Sequence, residues 1–227
     1  MATSFRDRTE AGRQLARKLA KYARRPDVLV LALPRGGVPV AYEVARALEA
    51  RLDVFVVRKL GVPGNEELAM GAIASGGVCV LDDDIVQALQ IPRQVVEATM
   101  ARELRELERR EQEYREAQPP PEVRGRTVIL VDDGLATGST MKAAVTALRQ
   151  LQPDRIVVAE PTAATETCED FRHLADECIC DITPDPFYAV GLWYEDFSQA
   201  TDDEVRELLK NAADPIVTRT GREEEEF

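Results

Sequence analysis

The run Val128-Ile129-Leu130-Val131-Asp132-Asp133-Gly134-Leu135-Ala136-Thr137-Gly138-Ser139-Thr140 constrains this chain more than any other stretch. Four apolar residues ahead of turn-formers predict a buried strand of a parallel sheet, and Met141 to Leu148 predicts the helix that follows. A connection of that kind lies at the carboxyl edge of a sheet, where the first helical turn offers unpaired N–H groups and the positive end of its dipole. Thr137 to Thr140 would then aim N–H groups and hydroxyls at an anion, while Asp132 and Asp133 supply acceptors for hydroxyl groups. Turn geometry and capping alone also recruit Gly, Ser, Thr and Asp. What lifts this run above them is the acid pair, followed four residues after Asp133 by hydroxyl, Gly, hydroxyl, hydroxyl. A nucleoside-triphosphate P-loop is excluded, because its GxxxxGK spacing and lysine are missing.

The rest of the chain alternates strand and helix signals. Residues 5 to 23 predict an amphipathic helix through Leu15, Leu19 and Tyr22 that ends before Pro26. Val28 to Leu33 predicts a strand, Val38 to Leu52 a helix and Val54 to Val57 a strand. Arg58 to Gly77 carries five glycines and Pro63, which predicts a long excursion before Val78 to Leu81 returns as a strand. Residues 92 to 117 give the longest helical pattern, through Val96, Met100, Leu104, Leu107 and Tyr114, and Pro119 to Pro121 end it. Its narrow apolar stripe leaves room for a second subunit. Ile156 to Ala159 and Cys178 to Ile182 predict strands; Thr165 to Ala175 and Asp202 to Asn211 predict helices. This alternation implies an α/β fold with a parallel sheet whose carboxyl-edge loops carry the site.

With 227 residues, 44% of them hydrophobic, one α/β domain with a small accessory part is expected. It would occupy residues 1–220, with a core over 26–183 and a hood from 1–25 and 184–215; residues 221–227, which include four consecutive Glu, would be a disordered tail. Against 29 Lys and Arg stand 41 Asp and Glu, a net charge of -12, which argues against nucleic acid as a partner. An anionic ligand would need locally gathered cations, since screening confines fields to about 8 Å. The four cysteines, Cys79, Cys168, Cys178 and Cys180, are too few and scattered for a disulfide framework and predict reduced thiols in a cytoplasmic protein. Cys178 and Cys180 would share one strand face, but with only His173 nearby no zinc site is expected, and His173 itself reads as structural. No apolar run approaches about 18 residues and the amino terminus is polar, so neither a membrane span nor a secretory signal is expected.

The opening run resembles the ribose-phosphate motif of the type I phosphoribosyltransferases, departing at Gly134, where that family usually carries an aliphatic residue. The resemblance is strong over residues 28 to 160 and weak in the hood. It implies the family's fold, a central parallel sheet of about five strands flanked by helices with a small hood. It assigns Asp132 and Asp133 to the ribose hydroxyls, directly or through the water of a bound Mg2+, and Ala136, Thr137, Gly138, Ser139 and Thr140 to the 5-phosphate. The stretch Leu33-Pro34-Arg35-Gly36-Gly37-Val38 resembles the pyrophosphate loop, with Arg35, Gly36 and Gly37 as ligands and a cis peptide expected between Arg35 and Gly36.

Arg58 to Gly71 resembles the mobile catalytic loop, with Arg58 and Lys59 toward the leaving group and Glu67, then Glu66, as candidate bases. Phe187 to Phe197 resembles the hood strand of the oxopurine enzymes; Tyr188 and Trp193 would meet a flat ring, and Glu195 would accept hydrogen bonds from it. Those enzymes carry an aspartate where this chain has Ala136, and a lysine where it reads Val158-Ala159-Glu160-Pro161, which speaks against hypoxanthine or guanine. The function implied is Mg2+-dependent transfer of ribose 5-phosphate from 5-phosphoribosyl 1-pyrophosphate (PRPP) to a nitrogenous acceptor, releasing pyrophosphate. Asp132, Asp133, Arg35, Lys59 and Glu67 would be catalytic, and a homodimer is expected. The alternative is a regulator that binds PRPP without catalysis; a phosphohydrolase using Asp132 is a weaker third.

Overall fold

The computed structural model of the protein describes residues 4–115 and 119–213, and of Glu67 the backbone alone. Its elements are α1 (Arg8–Lys18), β1 (Val28–Ala32), α2 (Gly37–Leu48), β2 (Arg51–Val54), β3 (Val57–Val62), β4 (Asn65–Ala74), β5 (Val78–Leu81), α3 (Asp83–Ala88), α4 (Arg93–Arg115), β6 (Thr127–Val131), α5 (Ser139–Gln150), β7 (Arg155–Thr162), α6 (Thr165–Leu174), β8 (Glu177–Ile182) and α7 (Asp202–Ala213). Five strands make a parallel sheet in the order β2-β1-β6-β7-β8, the central parallel sheet flanked by helices that the sequence implies.

Every residue of β1 and β6 is buried, as continuous apolar runs require when helices cover both faces. Alternation along the strands sorts them into two cores. Val30, Ala32, Ile129, Val131, Val157 and Ala159 join Leu15, Val40 and Val44 of α1 and α2. Leu29, Leu31, Val128, Leu130, Ile156 and Val158 join Met141, Val145 and Phe171 of α5 and α6. The helix α1 starts where Asp7 accepts a hydrogen bond from the Glu10 N–H at 2.7 Å.

Several expectations are corrected. The α2 helix stops at Leu48, because Glu49 takes a left-handed conformation (φ 53) and Arg51 already starts β2; Leu52 is therefore a strand residue. Arg58 to Gly77 is no open excursion: with Val57 it forms β3 and β4, which with β5 make a separate antiparallel sheet in the order β3-β4-β5. Its glycines read as loop, yet Gly64 (φ 82) serves a tight hairpin turn and Gly71 lies within β4, opposite Leu81. Val78 to Leu81 thus returns as a strand, but outside the central sheet. The acids that open α3 hid its apolar signal, although Asp82 caps it by accepting from the Ile85 N–H at 3.0 Å. Phe187 to Phe197 contains no strand; a 3-10 turn spans Val190–Trp193, and Tyr194 makes a single bridge to Phe5.

Cys168 and Cys180 are joined by a disulfide rather than reduced, because α6 packs onto β8, a tertiary adjacency that spacing does not reveal. The expected acidic tail, 221–227, lies outside the described residues. Among the described residues no helix is long and apolar enough to cross a membrane.

Leu130→Ala should cost about 2–5 kcal/mol in urea unfolding, since the side chain is fully buried between β6 and α5. Leu192→Ala, at a residue 66% exposed, should stay within about 0.5 kcal/mol of the parent.

Candidate functional site

Where β6 ends, the chain delivers Asp132 and Asp133 to the carboxyl edge of the sheet, beside the turn that joins β1 to α2. Gly36 faces the Asp133 carboxylate so closely that a Cβ there would overlap it. A Cβ on Gly37 would stand 2.7 Å from the Val131 carbonyl oxygen and 2.8 Å from the Asp132 Cα. The glycine pair is what lets these two loops touch. The cis peptide of this turn joins Pro34 to Arg35, one bond earlier than expected.

Asp132 Oδ1 accepts the Asp133 N–H at 2.8 Å. Asp133 Oδ2 takes a fork from Arg8, Nη2 at 2.8 Å and Nε at 2.9 Å. Arg8 also donates to the Ser198 carbonyl at 2.7 Å, and its guanidinium lies 4.1 Å from the Phe197 ring centre. Tyr194 donates to the Asp133 carbonyl at 2.5 Å. Gly134 explains the departure from an aliphatic residue: a Cβ there would stand 2.5 Å from Val190 Cγ1 and 3.0 Å from Thr162 Cγ2.

Burial raises the Asp132 carboxyl well above the ordinary carboxylate range, and the charge of Asp133 adds to it. Burial raises Asp133 too, with Arg8 pulling the other way. Glu160, at the end of β7, is a third acid: fully buried, with neither carboxylate oxygen partnered among the described residues, and raised by burial and then by Asp132 and Asp133. Arg8 pairs with Asp133, while Asp132 and Glu160 have no salt bridge among the described residues. A donor set of oxygens in excess of its counter-charge fits a hard divalent cation such as Mg2+.

Ala136, Thr137, Ser139 and Thr140 are exposed and Gly138 partly so. Gly138 (φ 68) caps α5, so Ser139 and Thr140 begin the helix and leave its first N–H groups pointing outward. The loop is framed from behind: Leu135 N–H donates to the Thr162 carbonyl at 2.8 Å, Ala164 N–H to Leu135 at 3.1 Å, and Thr167 Oγ1 to Ala136 at 2.7 Å.

Of the predicted cations, Lys59 Nζ reaches Ser139 Oγ at 3.3 Å, at the mouth of this loop. Arg58 does not join it; adjacent residues of a strand face opposite ways, and Arg58 pairs with Glu103 of α4 at 2.7 Å. Arg35 pairs with Asp202 of α7 at 3.4 Å, across a cleft of about 370 Å3 that also holds Glu113 and Arg206. Glu66 is exposed on β4, and the Glu67 side chain lies outside the described residues. Tyr188 is 80% exposed, and Glu195 is exposed beside the Phe5 bridge. Trp193 does not face open space: it stacks on Phe187 with ring centres 6.4 Å apart, its Nε1 buried and unpartnered among the described residues.

Arg8, Tyr194, Asp202 and Glu160 are the participants that sequence reasoning missed. Arg8 stands 125 positions from Asp133, and nothing local in its helix marks it. Glu160 carries a signal, an acid at the end of an apolar strand, but in the sequence it reads only as a missing lysine.

A family model described as Phosphoribosyl transferase domain matches residues 4–195. A Mycobacterium tuberculosis protein provisionally named a phosphoribosyl transferase is 47% identical over 208 residues, 92% of this chain and 47% of that protein. The chain thus spans about half the length of the curated relatives it first matches. A bifunctional protein PyrR of Deinococcus radiodurans is 30% identical over 132 residues, 56% of this chain and 70% of that one. The crystal structure of TT1426 from Thermus thermophilus is 43% identical and superposes with a TM-score of 0.83, covering 93% of this chain and 100% of that one.

A carboxyl raised by folding holds its proton more tightly in the folded state, so the stability it leaves falls as pH climbs above the ordinary aspartate value of about 3.9. Asp132→Asn abolishes that penalty. Its melting temperature should exceed the parent's at pH 8, and by more than at pH 4, in calorimetric scans at both; a lower melting temperature at pH 8 would contradict the direction of the shift.

Proposed function

Since the chain belongs to the phosphoribosyl transferase family, we propose that it moves ribose 5-phosphate from PRPP to a nitrogenous-base acceptor and releases pyrophosphate. The observation that carries this is the meeting, at one sheet edge, of a half-buried acid pair, the Gly36-Gly37 turn and an exposed hydroxyl loop at a helix N-terminus. Ala136 to Thr140 would hold the 5-phosphate with N–H groups and hydroxyls. Asp132 and Asp133 would accept from the ribose hydroxyls and offset positive charge developing at the anomeric carbon.

Asp132 and Asp133, through water, would hold Mg2+, whose chemistry when bound is to neutralise the diphosphate. Arg35, already at the cleft beside the glycine turn, would take the diphosphate fork-on in exchange for Asp202. Lys59 would add a point charge from β3. Glu103 already holds Arg58, so Arg58 is left to position β3 against α4. Tyr188 is the exposed aromatic that would stack on the acceptor. Glu67 stays the proposed base. A homodimer is part of the same reading, supported by exposed Leu68, Leu81 and Leu89 around the β4-β5 sheet and α3.

Pyrophosphate release measured with PRPP, Mg2+ and a panel of bases tests this. Release should need both a base and Mg2+. Asp133→Asn should lower kcat/KM about 10²–10³-fold, and Lys59→Ala should act in the same direction. Binding of PRPP without release for every base would identify a sensor, and release without any base a hydrolase.

A further inference from the structure

Behind the loop that follows β6, three sulfurs crowd together. Cys178 Sγ lies 3.8 Å from Cys168 Sγ and 3.8 Å from Cys180 Sγ, and the three lie within 4.8 Å of one another. A tetrahedral ion with metal–sulfur bonds of about 2.3 Å requires sulfurs about 3.8 Å apart. Two of the three edges already have that length, and the third is closed only by the Cys168–Cys180 disulfide, whose Cα atoms are 6.7 Å apart. We infer that, once this disulfide is reduced, Cys168, Cys178 and Cys180 form a three-thiolate site for a soft cation of the Zn2+ class.

Both supporting elements are regular and fixed by packing. Alternation along β8 puts Cys178 and Cys180 on the face that packs against α6, which supplies Cys168. Glu160 shares that face of the sheet: it alternates with Val158, and its Cα pairs with that of Cys180. Its two carboxylate oxygens lack hydrogen-bond partners among the described residues, so an unclaimed oxygen donor borders the sulfurs.

The alternative use of a third sulfur is thiol–disulfide exchange, which needs Cys178 as a thiolate. Burial, and then the nearby Glu160 charge, push that thiol up to about 12, which leaves it a poor nucleophile at neutral pH. A metal ion deprotonates the thiols it binds and is not blocked in this way. The steps balance: a phosphine reductant is oxidised to its oxide as water supplies the oxygen, and two electrons and two protons convert the disulfide to two thiols. Cation binding then releases the thiol protons, so affinity should rise with pH.

The 227-residue chain reduced with a phosphine and freed of it should bind one equivalent of Co2+, with an intense near-ultraviolet thiolate-to-cobalt band that Zn2+ abolishes by displacement. The unreduced protein should show no such band. Cys178→Ser should lose the band and Cys79→Ser should keep it, with circular dichroism reporting the fold of each. Absence of the band in reduced parent protein, or its persistence in folded Cys178→Ser, would overturn the site. Should Cys178→Ser not fold, alkylation of the reduced parent decides: Zn2+ should protect three cysteines and leave Cys79 reactive, and modification of all four regardless of Zn2+ refutes the inference.

Discussion

The whole site hangs on the cost of taking two adjacent carboxylates out of water. Asp132 and Asp133 stand at the end of a fully buried strand, hemmed in by the Gly36-Gly37 turn, and both are raised in consequence. Such a pair persists only where the surrounding fold holds it, which the close contact with the glycine turn and the bond from Tyr194 do here. Arg8 offsets part of the charge from α1, and its hold on Ser198 and Phe197 ties the amino-terminal helix to the carboxyl-terminal segment at the same point. One electrostatic problem thus organises pieces from both ends of the chain.

Under the proposed function an acidic protein of net charge -12 would have to meet an anion, and the three cations nearest the candidate site already have partners among the described residues. Arg35 rests on Asp202, Arg8 on Asp133 and Lys59 on Ser139. Arg35 and Arg8 have carboxylates to exchange and Lys59 a neutral hydroxyl, so a ligand's oxygens would replace existing contacts. Tyr114 donates to the same Asp202 carboxylate at 2.6 Å, which would keep that acid in place if Arg35 turned to a ligand.

How much of this was legible in the sequence follows from where each signal resides. Val28 to Leu31 and Val128 to Val131 announced themselves because strands buried on both faces need unbroken apolar runs. The loop after β6 was legible because its residue types are needed locally, at a helix start. The β3-β4-β5 sheet was hidden by glycines that serve hairpin geometry and close strand approach, and so looked like loop. Arg58 and Lys59 read as a pair but diverge, since their neighbours on the two sides of β3 are Glu103 and Ser139, partners 45 and 80 positions away. Arg8, Glu160 and the third cysteine of the sulfur cluster draw their meaning from tertiary neighbours alone.

The frame behind the exposed hydroxyl loop has a consequence of its own. Leu135, Ala136 and Gly138 are held by β7 and α6 through three hydrogen bonds and the Phe171 ring, while Ala136, Thr137, Ser139 and Thr140 remain in solvent. The entropy of fixing that curve of backbone is lost when the protein folds, not when an anion arrives. On the proposed reading a loop so prepared would discriminate by shape: an anion of the wrong span would find donors that do not bend toward it, and one of the right span would bind with little further loss of freedom.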